Sequence, residues 1–130
     1  MTTRRLAGVL VALALLGGSA LAATPERVVA SKKASGGFAL ARVSATVVRP
    51  ATLRVRVTAV PRQTVQVSWS VVCKKGTATT RRSRQYGPTL TPTVRSVAFP
   101  TLRPDRCTLT ATGQLEREGE IVVALLARRR

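Results

Sequence analysis

The chain has 130 residues, 22 basic and five acidic side chains, a formal charge of +17, two cysteines and no histidine. That length supports one small domain, and the absence of histidine removes the commonest general base and metal ligand. With no histidine and no CxxC pair there is no plausible zinc set, so neither a metal nor a cofactor is expected.

The first residues read as an export signal. Arg4 and Arg5 precede an unbroken apolar run, Leu6 to Leu16, and the small residues of Gly17-Gly18-Ser19-Ala20-Leu21-Ala22 follow. Ala20-Leu21-Ala22 fits the A-x-A cleavage rule, which assigns residues 1–22 to a signal peptide and makes the mature protein secreted. The run is too short for the ~20 apolar residues of a membrane span. No cysteine beside the cleavage site offers a lipid anchor. Thr3-Arg4-Arg5 is also similar to a twin-arginine start, although Ala7 and Gly8 stand where that motif prefers Phe and Leu.

Residues 23–37 hold few large apolar side chains and end in Ser35-Gly36-Gly37, the composition of a flexible lead-in. The folded domain is therefore expected over 38–130. Phe38–Val48 accommodates either a strand or a helix, because its alanines permit both. From Leu53 the period is two: Leu53, Val55 and Val57 alternate with Arg54, Arg56 and Thr58. After a turn at Pro61-Arg62-Gln63, the residues Val65, Val67, Trp69, Val71 and Cys73 share one face. Thr77–Ser83 and Thr93–Phe99 are shorter strand candidates. Cys107, Leu109, Ala111 and Leu115 form another apolar face, and Ile121 to Ala127 is apolar on both faces, as a covered central strand would be.

About seven short strands punctuated by Gly and Pro predict an all-β antiparallel sandwich, Ig-like in architecture. The match stops at architecture, since Trp69 precedes Cys73 on one strand, whereas immunoglobulin domains carry their Trp on the strand after the first Cys. Cys73 and Cys107 form an isolated pair in an exported chain, which reads as a disulfide closing a separation of 34 residues. Trp69 is expected in the core among valines, the alternative being a stacking platform for a sugar or base. For the last two strands, the apolar faces predict a three-residue hairpin loop, Arg117-Glu118-Gly119, with Leu115 opposite Ile121. A two-residue loop would pair Leu115 with Val122 instead.

Between Val67 and Arg128 the chain resembles a group of small secreted proteins of actinobacterial type that have no assigned activity. Trp69-Ser70-Val71-Val72-Cys73, Lys75-Gly76, Thr91-Pro92, Pro104-Asp105-Arg106-Cys107 and Gln114-Leu115 carry the likeness. Gly119-Glu120-Ile121-Val122-Val123 and Leu126-Ala127-Arg128 complete it. The resemblance implies export, a disulfide and a β-fold, and it transfers no functional residue.

Catalytic machinery is not expected. Glu116, Glu118 and Glu120 bracket one turn, but an exposed turn gives no acid a reason to hold a proton. Asp105 follows Pro104 and reads as a turn stabiliser. No Gly-x-Ser-x-Gly, phosphate loop or calcium loop occurs. The concentrated feature is Lys74, Lys75, Arg81, Arg82 and Arg84, five cations without an acid between them. If Thr77–Ser83 turns back as an edge strand, these five line one basic ridge suited to phosphate, sulfate or carboxylate oxygens. Against this stands the excess of Arg over Lys, 18 to four, which codon bias of a GC-rich genome also produces. Two readings follow: an exported structural or interaction module of the cell envelope, and an electrostatic binder of extracellular polyanions.

Overall fold

A computed structural model of the protein describes residues 24–130; the expected signal peptide lies outside the described residues. Among the described residues, eight strands form two four-stranded antiparallel sheets. They are β1 (Arg27–Gly36), β2 (Leu40–Val48), β3 (Pro50–Val60), β4 (Thr64–Lys75), β5 (Ala78–Leu90), β6 (Thr93–Ser96), β7 (Arg106–Leu115) and β8 (Gly119–Arg129). Sheet one has the order β1-β8-β3-β6 and sheet two the order β2-β7-β4-β5. The all-β sandwich is thus present, with eight strands where about seven were expected. No helix of the described residues is long and apolar enough to cross a membrane.

Alternation builds the core, because side chains two apart on a strand point the same way. Val65, Val67, Trp69, Val71 and Cys73 of β4 and Cys107, Leu109, Ala111 and Leu115 of β7 are all buried on the inner face of sheet two. Their register sets large against small: Trp69 faces Ala111 and Val67 faces Gly113 across the pair. A Cβ at Gly113 would stand 2.8 Å from Val123 Cγ2 and 3.0 Å from Ile121 Cδ1. Sheet one therefore closes directly onto Gly113, and only glycine leaves room. Cys73 and Cys107 are directly opposite on β4 and β7, with Cα atoms 4.0 Å apart, and they form the expected disulfide. The bond staples neighbouring strands of one sheet, unlike the bond between sheets of antibody domains.

Strand β8 is covered on both faces, as its composition predicts. Ile121, Val123, Leu125 and Ala127 enter the core, while Ala124 and Leu126 point outward yet are only 1% and 7% exposed. Ala124 lies in register with Arg56, and Leu126 lies between Arg54 and Val28. Arginine stems cover apolar surface while their heads stay wet. Glu26 fixes one of these heads: Arg54 Nε donates to Oε2 at 2.8 Å and Nη2 to Oε1 at 2.7 Å. That pair, foremost through its hydrogen bonds, holds the Glu26 carboxyl below the usual carboxylate range, against an opposing effect of burial. A lowered folded pKa stabilises above the unfolded value and the contribution is lost as pH falls through the folded one. Glu26→Gln should therefore cost up to about 1 kcal/mol at neutral pH, an upper figure for a partly exposed pair. Urea titrations should show that difference shrinking as the pH is lowered below about 4. A difference independent of pH would remove the ion pair from the account.

Two expectations are corrected. The segment expected as a flexible lead-in, 23–37, contains an edge strand: Arg27–Gly36 pairs with β8 from Arg27↔Ala127 to Gly36↔Gly119. An edge strand needs few large side chains, because backbone hydrogen bonds hold it and only Ala30 and Ala34 pack against the core. Nor are β7 and β8 a hairpin. They lie in opposite sheets, with Leu115 paired to Val65, and Ile121 to Ala34 and Ala59. Neither hairpin register occurs. Two strands with strong apolar faces bury both by stacking face to face, and the local period does not distinguish stacking from pairing.

A buried glutamine secures that crossing. Gln63 Nε2 donates to the Glu118 carbonyl at 3.2 Å, and its Oε1 accepts from Arg117 N at 3.0 Å. Thr91 Oγ1 donates to the Gln63 carbonyl at 2.9 Å, so one side chain pair joins the β3–β4, β5–β6 and β7–β8 connections.

Candidate polyanion-binding surface

Strand β5 does turn back on β4, through Gly76, as the edge strand of sheet two. Alternation then divides the five cations of the segment. Lys74 and Arg81 lie on the outer face, Arg81 in register with Val72. Arg82 and Arg84 share the opposite side with Val71 and Trp69. They line a cleft of about 270 Å³ at the open edge between the sheets, with Ser96 and Ala98 across it. Lys75 donates to the Leu102 carbonyl at 2.8 Å and is committed to the loop before β7. A continuous ridge of all five does not form. The physical reason is the two-residue period of a strand, which sends Arg81 and Arg82 to opposite faces.

The outer face gains a partner that the segment does not contain. Arg106, the first residue of β7, is directly opposite Lys74, and Arg81 lies diagonally beyond Lys74 on β5. Directly opposed residues hold their Cβ atoms about 5 Å apart, and like charges there destabilise a sheet. Among the described residues no carboxylate lies within ion-pair reach of these three side chains. Nearby Asp105 is turned to other work. Its Oδ2 accepts from Gly76 N at 2.7 Å, its N–H donates to the Lys74 carbonyl at 2.8 Å and its carbonyl accepts from Arg49 N at 2.7 Å. It joins the turns at this end of the sandwich and so sets the positions of Lys74 and Arg106, a wider role than stabilising its own turn.

Val48, Val72 and Leu40 also stand on this face, and the two rows between Val72 and Leu40 are, Arg42 apart, hydroxyl and amide. Ser44, Thr110, Ser70 and Ser83 make one row across the sheet, and Arg42, Thr112, Ser68 and Gln85 make the next. Ser44 and Thr110 share a hydrogen bond of 2.9 Å, and Thr46 and Thr108 one of 2.8 Å. Two adjoining hollows of about 200 and 210 Å³ lie over these rows and share Ser68, Gln85 and Thr112. At one limit Glu116 accepts from Thr64 Oγ1 at 2.7 Å and Gln66 Nε2 at 3.0 Å. These bonds, Thr64's first, hold its carboxyl below the usual range. It is thus an ionised anchor, the opposite of what a general acid requires. Glu120 meets Lys33 at 3.5 Å. Among the described residues no three His, Cys, Asp or Glu side chains gather as a metal site.

Trp69 is 4% exposed and belongs to the core, so it is not a surface stacking platform. At the open edge the Arg95 guanidinium lies 4.2 Å from the centre of the Tyr86 ring. Burial pushes the Tyr86 hydroxyl pKa up, with Arg95 acting the other way. Arg42 and Arg106 went unnoticed in sequence because neither belongs to a charge run. Arg106 is adjacent to Cys107, and the disulfide register is the signal that would have placed it opposite Lys74.

No family model matches the chain, and no curated protein does. Among solved structures it is similar to TmCBM61 in complex with β-1,4-galactotriose, at 14% identity and a TM-score of 0.47. That alignment covers 82% of this chain and 88% of the other.

Proposed function

We propose that the protein is an exported, non-catalytic module that binds extracellular polyanions, and that the contact surface is the outer face of sheet two. One observation carries this reading: Arg106 opposite Lys74, with Arg81 diagonal to them, without an ion-pairing carboxylate. Three cations held close on a rigid sheet cost stability in the free protein, and an anionic ligand relieves that cost. The side chains stand on strands, two of them beside a disulfide, so their spacing survives binding without reordering. An exported disulfide protein meets anionic glycans, nucleic acid and phospholipid surfaces outside the cell, and its high net charge steers it toward all of them.

The test compares two triple variants of equal charge. Lys74, Arg81 and Arg106 are changed to Gln in one, and Lys32, Arg56 and Arg128 of sheet one in the other. Binding to duplex DNA and to heparin is followed across a salt series. The first variant should lose up to ~2.7 units of slope on DNA, at ~0.9 per phosphate contact removed. The second should keep most of its slope. Equal losses from both would mark the protein as a diffuse cation without a binding face.

A further inference from the structure

Resting on that reading, we infer that the ligand is an acidic polysaccharide of the carboxylated kind, whose sugar hydroxyls lie in the hydroxyl and amide trough of sheet two. The charge pattern of the face separates this ligand from nucleic acid. Cations stand only at its margins: Lys74, Arg81 and Arg106 at one corner and Arg42 on the far edge strand. Four strands at about 4.8 Å spacing put β2 and β5 some 14 Å apart. Between them lie Ser68, Ser70, Thr110 and Thr112, which are neutral and carry donors and acceptors on short, stiff side chains. A phosphodiester chain carries a charge at every residue and would leave its middle phosphates over uncharged hydroxyls. A polysaccharide fits the reverse pattern, with many hydroxyls and sparse carboxylates for the arginine forks. Nucleic-acid surfaces also use several stacking aromatics. The outer face has none in its rows, and the single tryptophan is buried.

The end of the trough carries a second indication. Gln114 Nε2 donates to the Phe38 carbonyl at 3.4 Å, so the Phe38 backbone lies beside the trough's amide margin. Phe38 is 68% exposed and has a φ of 56°. A bulky residue rarely adopts that backbone region, and such outliers gather at binding sites. One exposed ring is enough to take the apolar face of a single sugar.

Four proteins are measured against hyaluronan, which carries one carboxylate on every second sugar, and against dextran and duplex DNA by titration calorimetry: the full chain, S68V/T112V/Q85L, F38A and K74Q/R81Q/R106Q. The substituted positions are on the surface, and circular dichroism and thermal melts verify the fold of each variant. Hyaluronan should bind the parent protein, and the trough variant should lose about tenfold in affinity, the effect of one or two hydrogen bonds. F38A should weaken hyaluronan as well. DNA affinity should change less than about twofold in these two, because phosphate contacts depend on charge. Neutral dextran should bind poorly to all four. If DNA and hyaluronan respond alike to the trough variant, the sugar assignment is wrong while the polyanion face stands. If K74Q/R81Q/R106Q keeps its binding to both polymers, the face itself is wrong. Dextran binding as tight as hyaluronan would overturn the carboxylate requirement.

Discussion

Replacing Cys73 and Cys107 together with alanine should lower stability by about 3–4 kcal/mol and the melting temperature by on the order of 15–20 °C. The estimate follows from the 34-residue separation that the bond closes, which restricts the unfolded chain. Both cysteines are fully buried, so alanine leaves two small voids in addition. A domain of this size has only about 5–15 kcal/mol in total, so the double variant should be close to its limit at body temperature. Guanidinium titrations of the variant, and of the parent protein with and without reductant, measure the effect. A loss under about 1 kcal/mol would mean that the β4–β7 pairing restricts the unfolded chain already.

Trp69→Ala should be comparably severe, at about 3–5 kcal/mol, because it empties a large buried volume. Trp69 faces Ala111 on β7, which is too small to fill the space, and Arg84 on β5, whose charged head is costly to bury there. The chain has one tryptophan, so its fluorescence reports this site alone. Emission should be blue-shifted in the native protein and unchanged on adding heparin or hyaluronan. At a temperature where Trp69→Ala remains folded, its affinity for both polymers should match the parent's. A variant with near-normal stability and lost binding would make Trp69 a contact residue and move the site to the inter-sheet edge.

The period-two runs of β3, β4 and β7 were legible because each strand has one face in the core and one in water. There, burial alone selects the residue type at every second position. Strand β1 was missed for the complementary reason. Its Lys32, Lys33 and Ser35 are tolerable on an edge, and its two inward alanines are too small to register as a pattern. The basic segment was visible as a charge run, yet a run is one-dimensional. It could not show that Arg82 and Arg84 leave the outer face while Arg106 joins it from another strand.

Composition and alternation by themselves determined an all-β chain with a disulfide and buried tryptophan, since these follow from how each residue partitions between core and water. The tertiary structure decided which strands share a sheet. It placed β7 and β8 in opposite layers, although they are consecutive and joined by three residues. It also brought Arg106 beside Lys74, 32 positions apart in the chain. Hydrophobic burial is non-directional, so an apolar face requires cover from the opposite layer but does not say whether the next strand in the chain lies beside it or across the core. Only the complete set of backbone pairings and the shape of the core, narrow at Gly113 and wide at Trp69, select one of the two.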